Sequence, residues 1–128
     1  MLASMTHRSR LSTVLIDVPA DEVERSAGFW SAALGTTART ADEPEFTELP
    51  GVAPGLVVAV QAIDGPARYH VDVETDDVDA EVARLVDLGA TAVSSWQGCR
   101  TLRAPGGHLL CVIPRHSDDF DRHARTWP

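Results

Sequence analysis

Alternation and helical periodicity along the chain mark out a series of short elements. From Ser12 to Val18, Val14, Ile16 and Val18 share one side, while Thr13, Leu15 and Asp17 share the other, the period of a half-buried strand. Val23, Ala27, Trp30 and Leu34 then recur at i, i+4, i+7 and i+11, one stripe of a helix over residues 21–34. Asp21 and Glu22 suit its N-terminal dipole, and Gly35 suits a left-handed C-terminal cap. Short strands are predicted at 36–40 and 46–49, set off by Ala41-Asp42-Glu43-Pro44 and by a Pro- and Gly-rich turn at 50–55. Leu56 to Ile63 reads as a longer apolar strand ended by Asp64-Gly65-Pro66.

The plan then repeats. Leu15-Ile16-Asp17-Val18 followed by Asp21-Glu22-Val23 is echoed about 55 residues later by His70-Val71-Asp72-Val73 followed by Asp76-Asp77-Val78. Strands are predicted at 68–75, 91–96, 100–103 and 108–113, with a helix over 76–88 that turns Val78, Val82, Leu85 and Val86 inward. Each half reads β-α-β-β-β. Two copies are too few for a solenoid, so the pattern predicts one α+β domain of two pseudo-symmetric modules sharing a core. Residues 1–10 read as a flexible leader, with Met5 an alternative start, and residues 11–114 as the domain, with halves 11–65 and 66–114. In the tail, 115–128, Ser117 suits the cap of a short helix whose Phe120, Ala124 and Trp127 would dock on one face.

Composition narrows the function. With 128 residues, 44% hydrophobic and 23% charged, the chain is an ordinary globular domain. Its longest apolar runs, Leu56 to Val60 and Leu109 to Ile113, are strand-sized, so no membrane span is expected. Arg8 and Arg10 precede no signal-peptide core, which makes the cytoplasm the expected compartment. A net charge of −8 argues against nucleic acid. All eleven basic residues are Arg, and the absence of Lys excludes a Schiff-base enzyme and a Walker-type phosphate loop. Cys99 and Cys111 lack CxxC spacing and read as free, partly buried thiols.

The candidate chemistry centres on the strand that opens the second half. His70, Asp72 and Glu74 share a face there, so His70 with Asp72 forms a candidate general base oriented by a carboxylate, against the plainer role of bonding neighbouring strands. The repeat makes Asp17 the counterpart of Asp72. His70-Val71-Asp72 also spells half of a facial iron triad with His108 or His116, but that chemistry normally sits in barrels without two long repeated helices. Trp30 belongs to the helix stripe. Trp96, Tyr69 and Gln61 are candidates for an aromatic wall and a neutral amide in a cleft. Arg100 and Arg103, taken as sharing one face of the seventh strand, are candidates to grip an anion, with plain solvent exposure as the competing role.

Several motifs carry a family resemblance. They are Phe29-Trp30 before Ala33-Leu34-Gly35, His70-Val71-Asp72-Val73, Val82-Ala83-Arg84-Leu85 leading to Leu88-Gly89-Ala90, and Pro105-Gly106-Gly107 before Leu110-Cys111-Val112. Together, over Leu11 to Pro114, the chain resembles the vicinal oxygen chelate superfamily, in its glyoxalase-like branch, with glyoxalase I, bleomycin-resistance proteins, extradiol dioxygenases and methylmalonyl-CoA epimerase as members. The resemblance implies a cupped mixed sheet flanked by two helices, and a homodimer. In metal-dependent members His, Glu, His and Glu come from the first, fourth, fifth and eighth strands. Here those positions hold Thr13 or Leu15, Ala59 or Gln61, His70 and Cys111, so one ligand of the four is kept. The expectation is a cleft that binds a small organic molecule without the usual divalent metal and without a cofactor. His70 and Asp72 form its polar focus, and Thr13, Asp17, Gln61, Tyr69, Trp96, Arg100 and Cys111 surround them. The alternative is a lyase, isomerase or dioxygenase-type enzyme using His70, with or without metal.

Overall fold

The computed structural model describes residues 6–128, which divide into two compact units: Thr13–His70, and a second made of the chain up to Ser12 together with Val71–Pro128. The fold class is α+β, and each unit follows the β-α-β-β-β plan of the repeat.

In the first unit, residues 13–19 of strand β1 (His7–Pro19) lead through a 3-10 turn, Ala20–Glu22, into helix α1 (Val23–Leu34). Strands β2 (Arg39–Thr40), β3 (Phe46–Glu48) and β4 (Val57–Ile63) follow, giving the sheet order β2-β3-β4-β1. Because β1 and β4 run parallel, Leu15 lies opposite Ala59, and Asp17 opposite Gln61. Helix α1 stops at Gly35, whose φ of +74° is costly for any residue with a Cβ. Ile16, Val18, Leu49 and Val60 form the apolar cluster, with Val23 and Trp30 packed on it. Burying each such aliphatic side chain contributes roughly 1.5–3 kcal/mol. Leu34, the last position of the predicted stripe, is 43% exposed where the helix ends. Thr13, Leu15, Asp17 and Ala59 are buried on the opposite face of β1 and β4.

The second unit repeats the order. The remainder of β5 (Arg68–Thr75), helix α2 (Val78–Asp87), and strands β6 (Thr91–Trp96), β7 (Cys99–Arg103) and β8 (Leu109–Pro114) pair as β5-β8-β7-β6. Asp77 caps α2 by accepting the Ala80 N–H at 3.0 Å. Val82, Leu102 and Val112 form the cluster, joined by Val78, Leu85 and Leu110. Val86, expected inward, is 43% exposed on the flank of the helix. Each unit buries an apolar cluster of its own.

The ends of the chain depart from expectation. Residues 7–10 are not a leader; they are the start of β1, with His7, Ser9 and Arg10 all buried. No apolar period marks this stretch because its buried residues are polar and individually bonded. His7 Nε2 lies 2.7 Å from Glu81 Oε1, Trp127 Nε1 donates to Ser9 Oγ at 2.8 Å, and Arg10 reaches Asp119 at 3.1 Å. Residues 1–5, Met5 included, lie outside the described residues. The tail forms one helical turn, α3 (Phe120–His123), and then strand β9 (Arg125–Trp127). Ala124 is extended, so the chain leaves the helix and pairs antiparallel with His7–Ser9. Phe120 is fully buried, with the guanidinium of Arg115 4.3 Å from its ring centre. No helix of the described residues is long and apolar enough to cross a membrane.

Candidate functional site

Alternation places Asp17 on the same face of β1 as Thr13 and Leu15, away from α1, and the parallel register sets Gln61 beside it on β4. His70, on β5, completes the group: its Nδ1 lies 2.5 Å from Asp17 Oδ2. Asp17 is fully buried and the His70 side chain is 11% exposed, so this is a charge-assisted bond in a largely water-excluded place. Arg68, two residues before His70, brings Nε to 3.4 Å from the same oxygen and is half exposed. The other oxygen, Asp17 Oδ1, is buried without a hydrogen-bond partner among the described residues, and so is Gln61 Oε1. Leaving such an acceptor unmet costs about 1–3 kcal/mol, and the two residues that carry these atoms lie opposite each other in the β1–β4 register.

The chemistry of the pair follows from its geometry. A neutral imidazole bonded to a carboxylate carries its proton on Nδ1, which leaves Nε2 with the basic lone pair. The carboxylate on this ring nitrogen is that of Asp17.

Asp72 belongs to the second unit, opposite Cys111 in the parallel pairing of β5 with β8. Thr101 Oγ1 lies 3.5 Å from Cys111 Sγ across β7 and β8. Burial pushes the nearby Cys99 thiol up, and Cys111 and Asp72 push it further. Cys99 and Cys111 are both free cysteines.

Other expected site residues fall elsewhere. Tyr69 alternates with His70, so it points to the opposite face of β5, and it is 64% exposed; Trp96, on β6, is 72% exposed. Arg100 and Arg103 do not share a face, because three residues along an extended strand reverse the side. Arg100 lies on the face of Leu102, toward α2, where it bonds Asp79 at 3.3 Å. Arg103 points the other way and donates to the Gly107 carbonyl at 2.9 Å. Arg68 was missed by the sequence reading, although its parity with His70 was visible.

The first unit does not assemble the four-ligand set of the metal-dependent vicinal oxygen chelate proteins. Leu15 and Ala59 carry no donor atom, and Thr13 and Gln61 are neutral; the one imidazole uses Nδ1 on Asp17.

Comparison with known proteins agrees with this architecture. A family model described as "Glyoxalase-like domain" matches residues 13–113. No curated protein matches the chain. Among solved structures, a hypothetical protein from Bacillus halodurans C-125 superposes with a TM-score of 0.62 at 10% identity, over 86% of this chain and 96% of that one. A structure described as NAD-dependent benzaldehyde dehydrogenase from Legionella pneumophila gives 0.59 at 17% identity, over 81% and 98%. The Streptomyces coelicolor methylmalonyl-CoA epimerase in complex with 2-nitronate-propionyl-CoA gives 0.52 at 15% identity, over 84% and 95%. At such identities the likeness is one of fold. With its doubled β-α-β-β-β plan and a family match over residues 13–113, the chain belongs to the glyoxalase-like domain family of the vicinal oxygen chelate superfamily.

Proposed function

We propose that this glyoxalase-like domain binds a small organic molecule that presents hydrogen-bond donors to Asp17 and Gln61, without a tightly held divalent metal and without a cofactor. The observation that carries this reading is the pair of buried acceptors, Asp17 Oδ1 and Gln61 Oε1, on residues opposite each other in register and unmet among the described residues. A hydroxyl or amide N–H is the natural complement, and a site built this way discriminates strongly against analogues that lack the donor. His70 holds Asp17 in place through Nδ1. The donor set weighs against the superfamily's usual metal, because three of the four ligand positions hold Thr13 or Leu15, Ala59 or Gln61, and Cys111.

A thermal-shift screen of hydroxyl- and amide-bearing small molecules tests the reading, since a bound ligand raises the melting temperature. Hits should lose their effect in Gln61→Leu and His70→Ala protein, and untagged protein should carry far less than one equivalent of zinc, nickel, manganese or iron. Stoichiometric metal that disappears in His70→Ala protein would overturn the metal-free reading.

A second reading is favoured by the 2.5 Å Asp17–His70 bond, the arrangement of an imidazole poised as a general base. In that reading the domain is an isomerase or lyase in which Nε2 takes a proton from the bound molecule. Solvent deuterium incorporated into a hit compound by wild-type but not His70→Ala protein would establish it. The same proposal takes the protein to be a cytoplasmic homodimer, and a monomeric mass in light scattering at micromolar concentration would count against the dimer.

A further inference from the structure

The second unit contains a cavity of about 340 Å³ between the start of β1, helix α2 and strand β9. One part of its wall is apolar, formed by Leu11, Leu85 and the Trp127 ring. Three guanidinium groups, of Arg10, Arg84 and Arg125, also line it beside Ser9, Val73 and His123, with Glu81 as the one carboxylate. That balance is unusual in a chain whose net charge is −8.

The charges are not equivalent. Glu81 is fully buried and wholly engaged, receiving Arg84 at 2.9 and 2.8 Å and lying 2.7 Å from His7. Arg10 is turned toward Asp119 and Glu74. Arg84 is held rigidly, since its two bonds to Glu81 use Nε and one terminal nitrogen and its guanidinium stacks 3.8 Å from the centre of the Trp127 ring. Its second terminal nitrogen, Nη1, has no hydrogen bond among the described residues. The Arg125 side chain makes no hydrogen bond or ion pair among them either. A fixed guanidinium with donors to spare, an unpaired second guanidinium and an apolar wall together describe a receptor for an organic anion. Arginine favours a planar carboxylate, which it can bind through two parallel bonds.

We propose that this cavity is a second binding site, separate from Asp17 and Gln61, for a small carboxylate with a flat apolar body, held by Arg84 and Arg125 against Trp127, Leu11 and Leu85. Its volume lies at the low end for ligand pockets, which suits a one-ring acid.

Benzoate is the probe. Titrated into the full chain at low salt, it should raise the melting temperature saturably, while its neutral isostere benzamide should not. Arg125→Gln and Leu11→Trp, both at exposed positions, should each weaken benzoate by about tenfold or more, the first by removing charge and the second by filling the cavity. His70→Ala should leave benzoate binding unchanged, which separates this site from the one in the first unit. No saturable shift into the millimolar range, an equal shift with benzamide, or benzoate binding that survives both Arg125→Gln and Leu11→Trp would overturn the proposal.

Discussion

Asp17 Oδ2 lies 2.5 Å from His70 Nδ1, a bond between β1 and β5 inside the unit Thr13–His70. The bond fixes the proton. At a pH where the ring is neutral, nitrogen-15 correlation spectra should show His70 as the Nδ1–H tautomer. An Nε2–H tautomer would mean that the bond does not form as described.

Gln61 gives an unusual stability prediction. Its Oε1 is buried without a donor, so Gln61→Leu removes an unmet acceptor at nearly constant volume. Stability in urea should hold or rise by about 1 kcal/mol, while the binding attributed to this site should be lost. A loss of stability of more than about 1 kcal/mol would show that the amide is bonded in solution.

Acid should weaken the second unit through two buried carboxyls. Burial pushes Glu81 up, but the bonds from Arg84, His7 and Ser9 outweigh it and hold the group below the ordinary carboxylate range. Burial likewise pushes Glu74 up, and the Ser117 hydroxyl with the N–H groups of His116 and Ser117 brings it lower. The unfolded chain therefore binds more protons than the native state as pH falls below the ordinary glutamate value of about 4.3. The stability that these groups confer is complete above that value and is lost as pH drops through the lowered native values. Urea midpoints measured from neutral to acid pH should fall in that window, and Glu81→Gln protein should start lower and fall less steeply.

Phe120 anchors the tail. It is fully buried between Arg8 and Arg115, and Phe120→Ala should cost about 3–5 kcal/mol in urea denaturation. Deleting residues 116–128 should also lower the melting temperature, because it uncovers Glu74 and removes the strand paired with His7–Ser9. A melting temperature unchanged by the deletion would show the tail to be undocked.

The sequence by itself determined the two β-α-β-β-β modules and, through its motifs, the family. Periodicity reports which side of an element is apolar, and Ile16 with Val18, or Val82 with Leu85, carries that signal locally. Strand alternation and the repeat also singled out His70 and Asp17, with Gln61 as a neutral amide beside them. What it could not decide was who meets whom. The partner of His70 is 53 residues away, and Arg100 turns to a helix that its own strand does not announce. The first residues of β1 were unreadable for a related reason. His7, Ser9 and Arg10 are buried because Glu81, Trp127 and Asp119 arrive from distant parts of the chain to satisfy them, and a polar residue whose partners come from afar leaves no hydrophobic period behind.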